Sequence, residues 1–429
     1  MYKMKILMFG WEFPPHISGG LGTACYGITK SISQHGHDII FVMPKASGEE
    51  DKRYAEIISA DKINVLGNSE AYDEVYKKMN IITINSSILP YVSTTEYLRQ
   101  KLKIESQIQD SWSKRYVFNG AYGSSLMDDV ANYTKVAHQI ACDYEGKYDV
   151  IHAHDWLTYN AGVIAKQISG KPLIVHVHAT DFDRGGNGKS DIYKIEKFGM
   201  DNADKIVAVS KLTKKIIIEK YNQPADKIEV VHNGLTPSPK KTRPEKKHFN
   251  GKIVTFLGRI TQQKGPTYFV EVAKLVAKHN PDTHFVMAGN GDMLPLIIKL
   301  VASAGLSHRF HFTGFLTGNE VDAMLAMSDV YIMPSVSEPF GISPLEAINS
   351  SIPVIISKQS GVAEVLKNAL KVDYWDIEAT ADKVNAILRY PILKNFLVKH
   401  SQREVNKMTW EEPTQKLIDI YNFLIKSNI

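Results

Sequence analysis

Along most of the chain, short apolar runs alternate with segments whose apolar residues recur every three or four positions. The short runs predict buried strands, and the periodic segments predict amphipathic helices laid over them. Lys5–Phe9 reads as the first strand. Closely spaced glycines then open a helix with Ala24, Ile28 and Ile32 on one face; Gly36 fits its C-terminal cap, and Ile39–Met43 is the next strand. The irregular stretch Lys45–Ser125 reads as insertions. After it come a helix over Asp128–Tyr144, a strand at Val150–Ala153, a helix near Tyr159–Gln167, and strands at Leu173–Val177, Lys205–Val209 and Glu229–Val231.

The segment Thr236–His248 is rich in proline and charge and has no apolar periodicity, so it reads as a linker. The rhythm then restarts with strands at Lys252–Leu257, His284–Ala288, Phe310–Thr313, Val330–Met333 and Val354–Ile356. Pro266 can open a helix whose apolar stripe is Phe269, Val272, Ala273, Val276 and Ala277. A last helix covers about Glu412–Lys426. Strands alternating with helices in this way are the signature of parallel sheets with crossover helices. The expected organisation is two α/β domains in series, over 1–238 and 249–408, followed by a terminal helix within 409–429. Ligands are expected at the carboxyl ends of the strands.

Composition narrows the class. With 44% hydrophobic and 23% charged residues, the chain can bury sizeable cores and is not disordered. Cys25 and Cys142 are too few for a disulfide framework or for a metal site of their own, which fits a reducing, cytoplasmic setting. The run Ile6–Phe9 stops at Gly10, which makes it a strand and not a signal segment. No apolar run approaches the ~18 residues of a membrane span. The net charge of +5 suits an anionic small molecule and leaves room for a peripheral membrane contact. No nucleic-acid-binding motif is present.

Five motifs carry candidate chemistry. Gly19, Gly20 and Gly22 follow the first strand and open a helix, where backbone N–H groups can meet an anion; a plain tight turn is the alternative. Their spacing does not match the G-x-G-x-x-G dinucleotide fingerprint. His152-Ala-His-Asp-Trp156 ends a strand, with His152 and His154 on one face. His152 reads as a structural histidine and His154 as a substrate contact; no further His/Asp/Glu cluster declares itself, so no metal site is expected. Thr180-Asp-Phe-Asp183 contains an Asp-x-Asp triplet that reads as a polar loop rather than a metal ligand set.

The other two motifs lie in the second half. Gly258-Arg-Ile-Thr-Gln-Gln-Lys-Gly265 links a strand to a helix, and Arg259 and Lys264 can turn toward one anion such as a diphosphate. Ser337-Glu-Pro-Phe-Gly-Ile-Ser-Pro-Leu-Glu346 offers Glu338 in a loop and the amides of Phe340, Gly341 and Ile342 to a ligand. Glu346 has a structural alternative, because Ser343-Pro-Leu-Glu346 spells a capping box. Gly289-Asn-Gly291 is a further turn after a strand that can face the same ligand.

Taken together and in this order, the motifs resemble the retaining glycosyltransferases of family 4, over nearly the whole chain. Glu338 and Glu346 with seven residues between them, together with Arg259 and Lys264, carry most of the likeness; His232-Asn-Gly-Leu235 and Ala208-Val-Ser210 add to it. The resemblance implies two Rossmann-like domains facing across a cleft (the GT-B architecture), with the last helix crossing back to the first domain. It implies that Arg259 and Lys264 neutralise a donor diphosphate, that Glu338 and the amides after Phe340 hold the transferred sugar, and that Glu346 binds the ribose. His154 would contact the sugar near the reacting carbon, and Gly19 and Gly20 would approach the phosphates.

His-Ala-His-Asp-Trp and Gly-Gly-Leu look most like glycogen and starch synthases. Those bacterial enzymes carry a lysine two residues before the paired glycines, where this chain has Ile17. The implied activity is retaining, metal-independent transfer of a hexose, glucose first, from UDP- or ADP-glucose to a glycan. The nucleotide sugar is a co-substrate, and no cofactor is expected. Other readings within reach are a family 4 transferase for a cell-envelope or lipid-linked acceptor, a sugar-nucleotide epimerase or phosphorolytic enzyme, and a non-catalytic carbohydrate-binding protein.

Overall fold

The computed structural model describes residues 2–15, 19–65, 115, 116, 118, 126–236 and 251–428. Ile17, nearly all of the linker at Thr236–His248, the expected domain limits at 238 and 249, and most of the stretch Lys45–Ser125 lie outside the described residues. The chain forms two compact units, one of Met1–Phe182, Gly186–Gly234 and Trp410–Ile429, the other of Asp183–Gly185 and Leu235–Thr409.

The first unit is built on a seven-stranded sheet: β1 (Lys5–Phe9), β2 (Asp38–Met43), β3 (Glu56–Ser59), β4 (Val150–His154), β5 (Leu173–Val177), β6 (Lys205–Ala208) and β7 (Ile228–Val230). Every pairing is parallel, in the order β3-β2-β1-β4-β5-β6-β7. Helices α1 (Gly20–Gln34), α2 (Leu126–Asp143), α3 (Trp156–Ser169), α4 (Asp191–Asn202) and α5 (Lys211–Tyr221) make the crossovers. β4 and β5 are buried at every residue. That is why they read as unbroken runs and not as alternations.

The second unit has a six-stranded parallel sheet of β8 (Lys252–Leu257), β9 (Thr283–Ala288), β10 (Phe310–Gly314), β11 (Val330–Met333), β12 (Val354–Ser357) and β13 (Leu370–Val372). Its order is β10-β9-β8-β11-β12-β13. Its helices are α6 (Pro266–His279), α7 (Leu294–Ser303), α8 (Gly318–Met327), α9 (Ser343–Asn349), α10 (Ile377–Arg389) and α11 (Pro391–Val405). Pro266 does open α6, where its missing N–H breaks no helical bond. In both sheets the strand order reverses beside the first strand. Doubly wound sheets bind ligands at that switch point.

The final helix, α12 (Glu411–Ser427), belongs to the first unit. Trp410, Leu417, Ile418, Tyr421 and Leu424 share one buried cluster with Ala24, Ile28 and Ile32 of α1 and with Ile6, Met8 and Phe41 of the sheet. α1 admits the helix because Gly27 has no side chain: a Cβ there would stand 2.1 Å from the Trp410 ring.

Two strands were not expected from the sequence. β3 falls in the irregular stretch after residue 45, and β13 has only three residues with Lys371 at its centre.

Candidate active site

In the second unit, the loops after β8, β9, β11 and β12 are tied to one another by main-chain hydrogen bonds. Val336 N–H donates to Gln263 O at 2.9 Å, joining the β11 loop to the β8 loop. Glu338 N–H donates to Gln359 O and Gly361 N–H to Glu338 O, both at 2.9 Å, joining the β11 loop to the β12 loop. Ile260 N–H donates to Asn290 O at 2.9 Å, which brings in the β9 loop. Gly289 makes this last approach feasible. Its φ is +138°, and a Cβ would sit 1.9 Å from Gly258 O.

This lattice brings Lys264 and Glu338 together. Lys264 Nζ donates to Glu338 Oε2 at 2.5 Å, with the two side chains 20% and 9% exposed. Ser335 Oγ donates to the same oxygen at 3.2 Å. Gly341 lies against this glutamate, since a Cβ on it would be 3.1 Å from Glu338 Cγ. Phe340 is buried. The Gly341 and Ile342 amides donate to nothing among the described residues. Arg259 is half-buried, two residues beyond the end of β8. Lys264 thus has a counter-charge in Glu338.

Glu346 stands in the first turn of α9, half-buried. Burial first, and the Asp322 charge second, push its carboxyl up to about 7. The capping box does not form. Ile342 occupies the cap position without a side-chain bond, and Ser343 Oγ instead accepts from Tyr331 OH at 2.9 Å. With Ser343 engaged elsewhere, the Glu346 side chain does not cap the helix start.

In the first unit, Gly19 precedes α1 in extended conformation, and no described residue lies within 4 Å of where its Cβ would stand. His152 and His154 do share one face of β4, with ring centroids 4.2 Å apart. His152 Nδ1 meets Tyr421 OH at 2.6 Å, in keeping with a structural role. Asp155 takes a φ of 63° at the turn into α3. Asp181 accepts from Ser190 Oγ at 2.7 Å and from Gly188 N–H at 3.3 Å, so this carboxylate organises its own loop.

The sequence reading found no cluster beside His152 and His154, and the structure corrects it. β4 and β5 are neighbours in register, and His176 and His178 lie alongside. His154 Nδ1 faces His178 Nε2 at 3.0 Å, and His176 Nδ1 faces His152 Nε2 at 3.3 Å. Burial holds all four rings well below the ordinary histidine range, with His152 and His178 near 3.

Two sheets with the same reversed strand order, each with its loops gathered at the switch point, call for comparison with known proteins. Residues 5–228, more than half the chain, match the starch synthase catalytic domain. The chain belongs to the starch synthase catalytic domain family. Residues 238–404 match glycosyl transferases group 1. An uncharacterised glycosyltransferase of Methanocaldococcus jannaschii is 27% identical, the match covering 99% of both chains. The glycogen synthase of Mycobacterium tuberculosis is 21% identical over 97% of this chain and 94% of its own. Among solved structures, HepE of Anabaena, crystallised with UDP and glucose, superposes with a TM-score of 0.67 at 16% identity, over 98% of this chain and 99% of its own. A second HepE crystal, with UDP-glucose, gives a TM-score of 0.65.

The chain is thus a glycosyltransferase of the GT-B fold, similar to glycogen synthases. In this starch-synthase-family chain, His176 and His178 are the neighbours of His152 and His154 that reading the sequence missed. The signal was present: Ile174-Val-His-Val-His178 repeats, at the end of one strand, the i, i+2 histidine spacing of the strand before it. Among the described residues, no helix is long and apolar enough to cross a membrane.

Proposed function

We propose that the chain transfers a hexose, glucose first, from a nucleotide sugar to a glycan with retention of anomeric configuration, as a glycogen or starch synthase does. The observation that carries the reading is the Lys264–Glu338 pair at the switch point of the second sheet, with the unpaired amides of Gly341 and Ile342 beside it. An ammonium has three donors. Lys264 can keep one bond to Glu338 and give the others to a diphosphate, while Arg259 on the same loop adds a second cation. Glu338 and the free amides then suit the hydroxyls of the transferred sugar, and Glu346 the ribose. In the first unit, His154 and the Gly19–Gly20 turn are the proposed contacts to the sugar and the phosphates.

In the proposed step, the acceptor oxygen attacks the anomeric carbon from the face that the diphosphate leaves. The bond from carbon to phosphate oxygen breaks, and that oxygen takes the acceptor proton. Negative charge grows on the departing diphosphate, where Arg259 and Lys264 stabilise it without a metal. UDP- or ADP-glucose is the donor on this reading. A relative is a glycogen synthase, and a protein of the same fold has been crystallised with UDP-glucose. The test is nucleotide release from a panel of nucleotide sugars, with and without glucan, for the unaltered chain and for Arg259→Ala and Lys264→Ala. Release should depend on glucan and fall at least about ten-fold in each variant, or about 1.4 kcal/mol of barrier. Equal turnover in all three proteins discards the assignment.

A further inference from the structure

We propose that Cys25, His154 and His178 form a site in the first unit for a thiophilic transition-metal cation, Zn2+ or Cu+. Cys25 Sγ and one ring nitrogen from each histidine all lie within 4.8 Å of one another. Thiolate and imidazole are the donors these ions select. Cys25 and His154 are fully buried, whereas His178 is only half-buried and gives a path of entry.

The ring geometry fits a cation. His154 Nδ1 and His178 Nε2 face each other at 3.0 Å. Two nitrogens at that distance hold one shared proton or one metal ion; with metal–nitrogen bonds of about 2.0 Å, the separation subtends about 97° at the metal. The other nitrogen of the His154 ring, Nε2, is buried and has no partner among the described residues, so it is free to carry the ring's proton while Nδ1 faces the cation.

The surroundings fit as well. Burial, then the charges of Glu12 and Asp155, push the Cys25 thiol up, so two buried carboxylates stand near enough to offset a cation. Neighbouring rings hold the ligands: His152 stacks on His154 at 4.2 Å and is fixed by Tyr421, and His176 stacks on His178 at 4.4 Å. Such supporting contacts orient metal ligands.

Binding forms metal–nitrogen bonds to both rings and a metal–sulfur bond to Cys25. The thiol proton passes to solvent, the proton between the rings moves to the other nitrogen of its own ring so that both imidazoles bind in the neutral form, and no redox step is involved. The cation takes no part in sugar transfer. It ties up His154, so Zn2+ should inhibit the transferase activity.

The experiment titrates the chelator-stripped full chain with Co2+, a spectroscopic stand-in for Zn2+. One equivalent should give visible bands of tetrahedral cobalt together with a thiolate-to-cobalt charge-transfer band in the near ultraviolet. Cys25→Ser should abolish the charge-transfer band, and His178→Asn should weaken Co2+ binding at least about ten-fold. Cys142→Ser, at an exposed thiol, should change nothing. Zn2+ should raise the melting temperature of the unaltered chain but not of Cys25→Ser, which also reports whether that variant folds. Absence of stoichiometric binding overturns the proposal. So does a charge-transfer band that survives Cys25→Ser or vanishes in Cys142→Ser.

Discussion

Lys264 and Glu338 are 74 residues apart in sequence and meet at 2.5 Å, with the carboxylate nearly buried. Each could be marked in the sequence as a loop residue after a strand. Their pairing could not, because it depends on β8 lying next to β11. Removing Lys264 alone strands a buried charge, which costs about 3–5 kcal/mol in comparable cases. Lys264→Ala should therefore lose stability as well as activity, while Lys264→Ala with Glu338→Gln should regain most of the melting temperature and none of the turnover. Recovery of turnover in the double variant would make the pair a structural strut and nothing more. Gly289 is a second case in which one atom decides. Its added Cβ would lie 1.9 Å from Gly258 O at a φ of +138°. Gly289→Ala should destabilise the second unit by at least about 2 kcal/mol in urea unfolding, through strain and the forced separation of the two loops.

The α9 helix joins capping, burial and charge in seven residues. Its sequence spells a capping box, yet the box does not form because Tyr331, on the strand before it, donates to Ser343. A local pattern lost to a tertiary partner that could not be read from the same stretch of chain. β13 escaped notice for a related reason: three residues with a central lysine carry too little periodicity, and pairing with β12 makes the strand. The consequence for Glu346 can be measured. Its carboxyl titrates near 7, raised by burial and then by Asp322. Above that pH it is a carboxylate able to accept from two ribose hydroxyls; below it, one acceptor oxygen becomes a donor. Donor KM should therefore rise as pH falls through 7, approaching ten-fold per unit if only the ionised form binds. Glu346→Gln should flatten the profile, and Asp322→Asn should move the inflection to lower pH. An inflection that stays put in Asp322→Asn removes Glu346 as its source.

At the scale of the whole chain, the alternation of strands and helices was enough to read two parallel sheets, because strands buried on both faces appear as unbroken apolar runs. Reading the chain in order cannot show which layer a distant segment completes. α12 follows the second sheet in sequence, yet its buried residues lie in the core of the first unit. Trp410 sits over Gly27, and Tyr421 reaches His152 under the sheet. The Tyr421 side chain is fully buried, and Leu417, Ile418 and Leu424 pack around it. Loss of any one of these large side chains would cost about 2–5 kcal/mol, so losing all of them is comparable to the whole stability of an ordinary domain, about 5–15 kcal/mol. Deleting residues 410–429 should therefore unfold the first unit and leave the second, whose six-stranded core draws nothing from α12. Hydrogen exchange reads this directly: amides of β1, β2 and β4 should lose protection, while those of β8, β9 and β11 keep it. Retained protection in both sheets would show that α12 is an appendage and not a wall of the first core, and the Gly27 packing would then need another explanation.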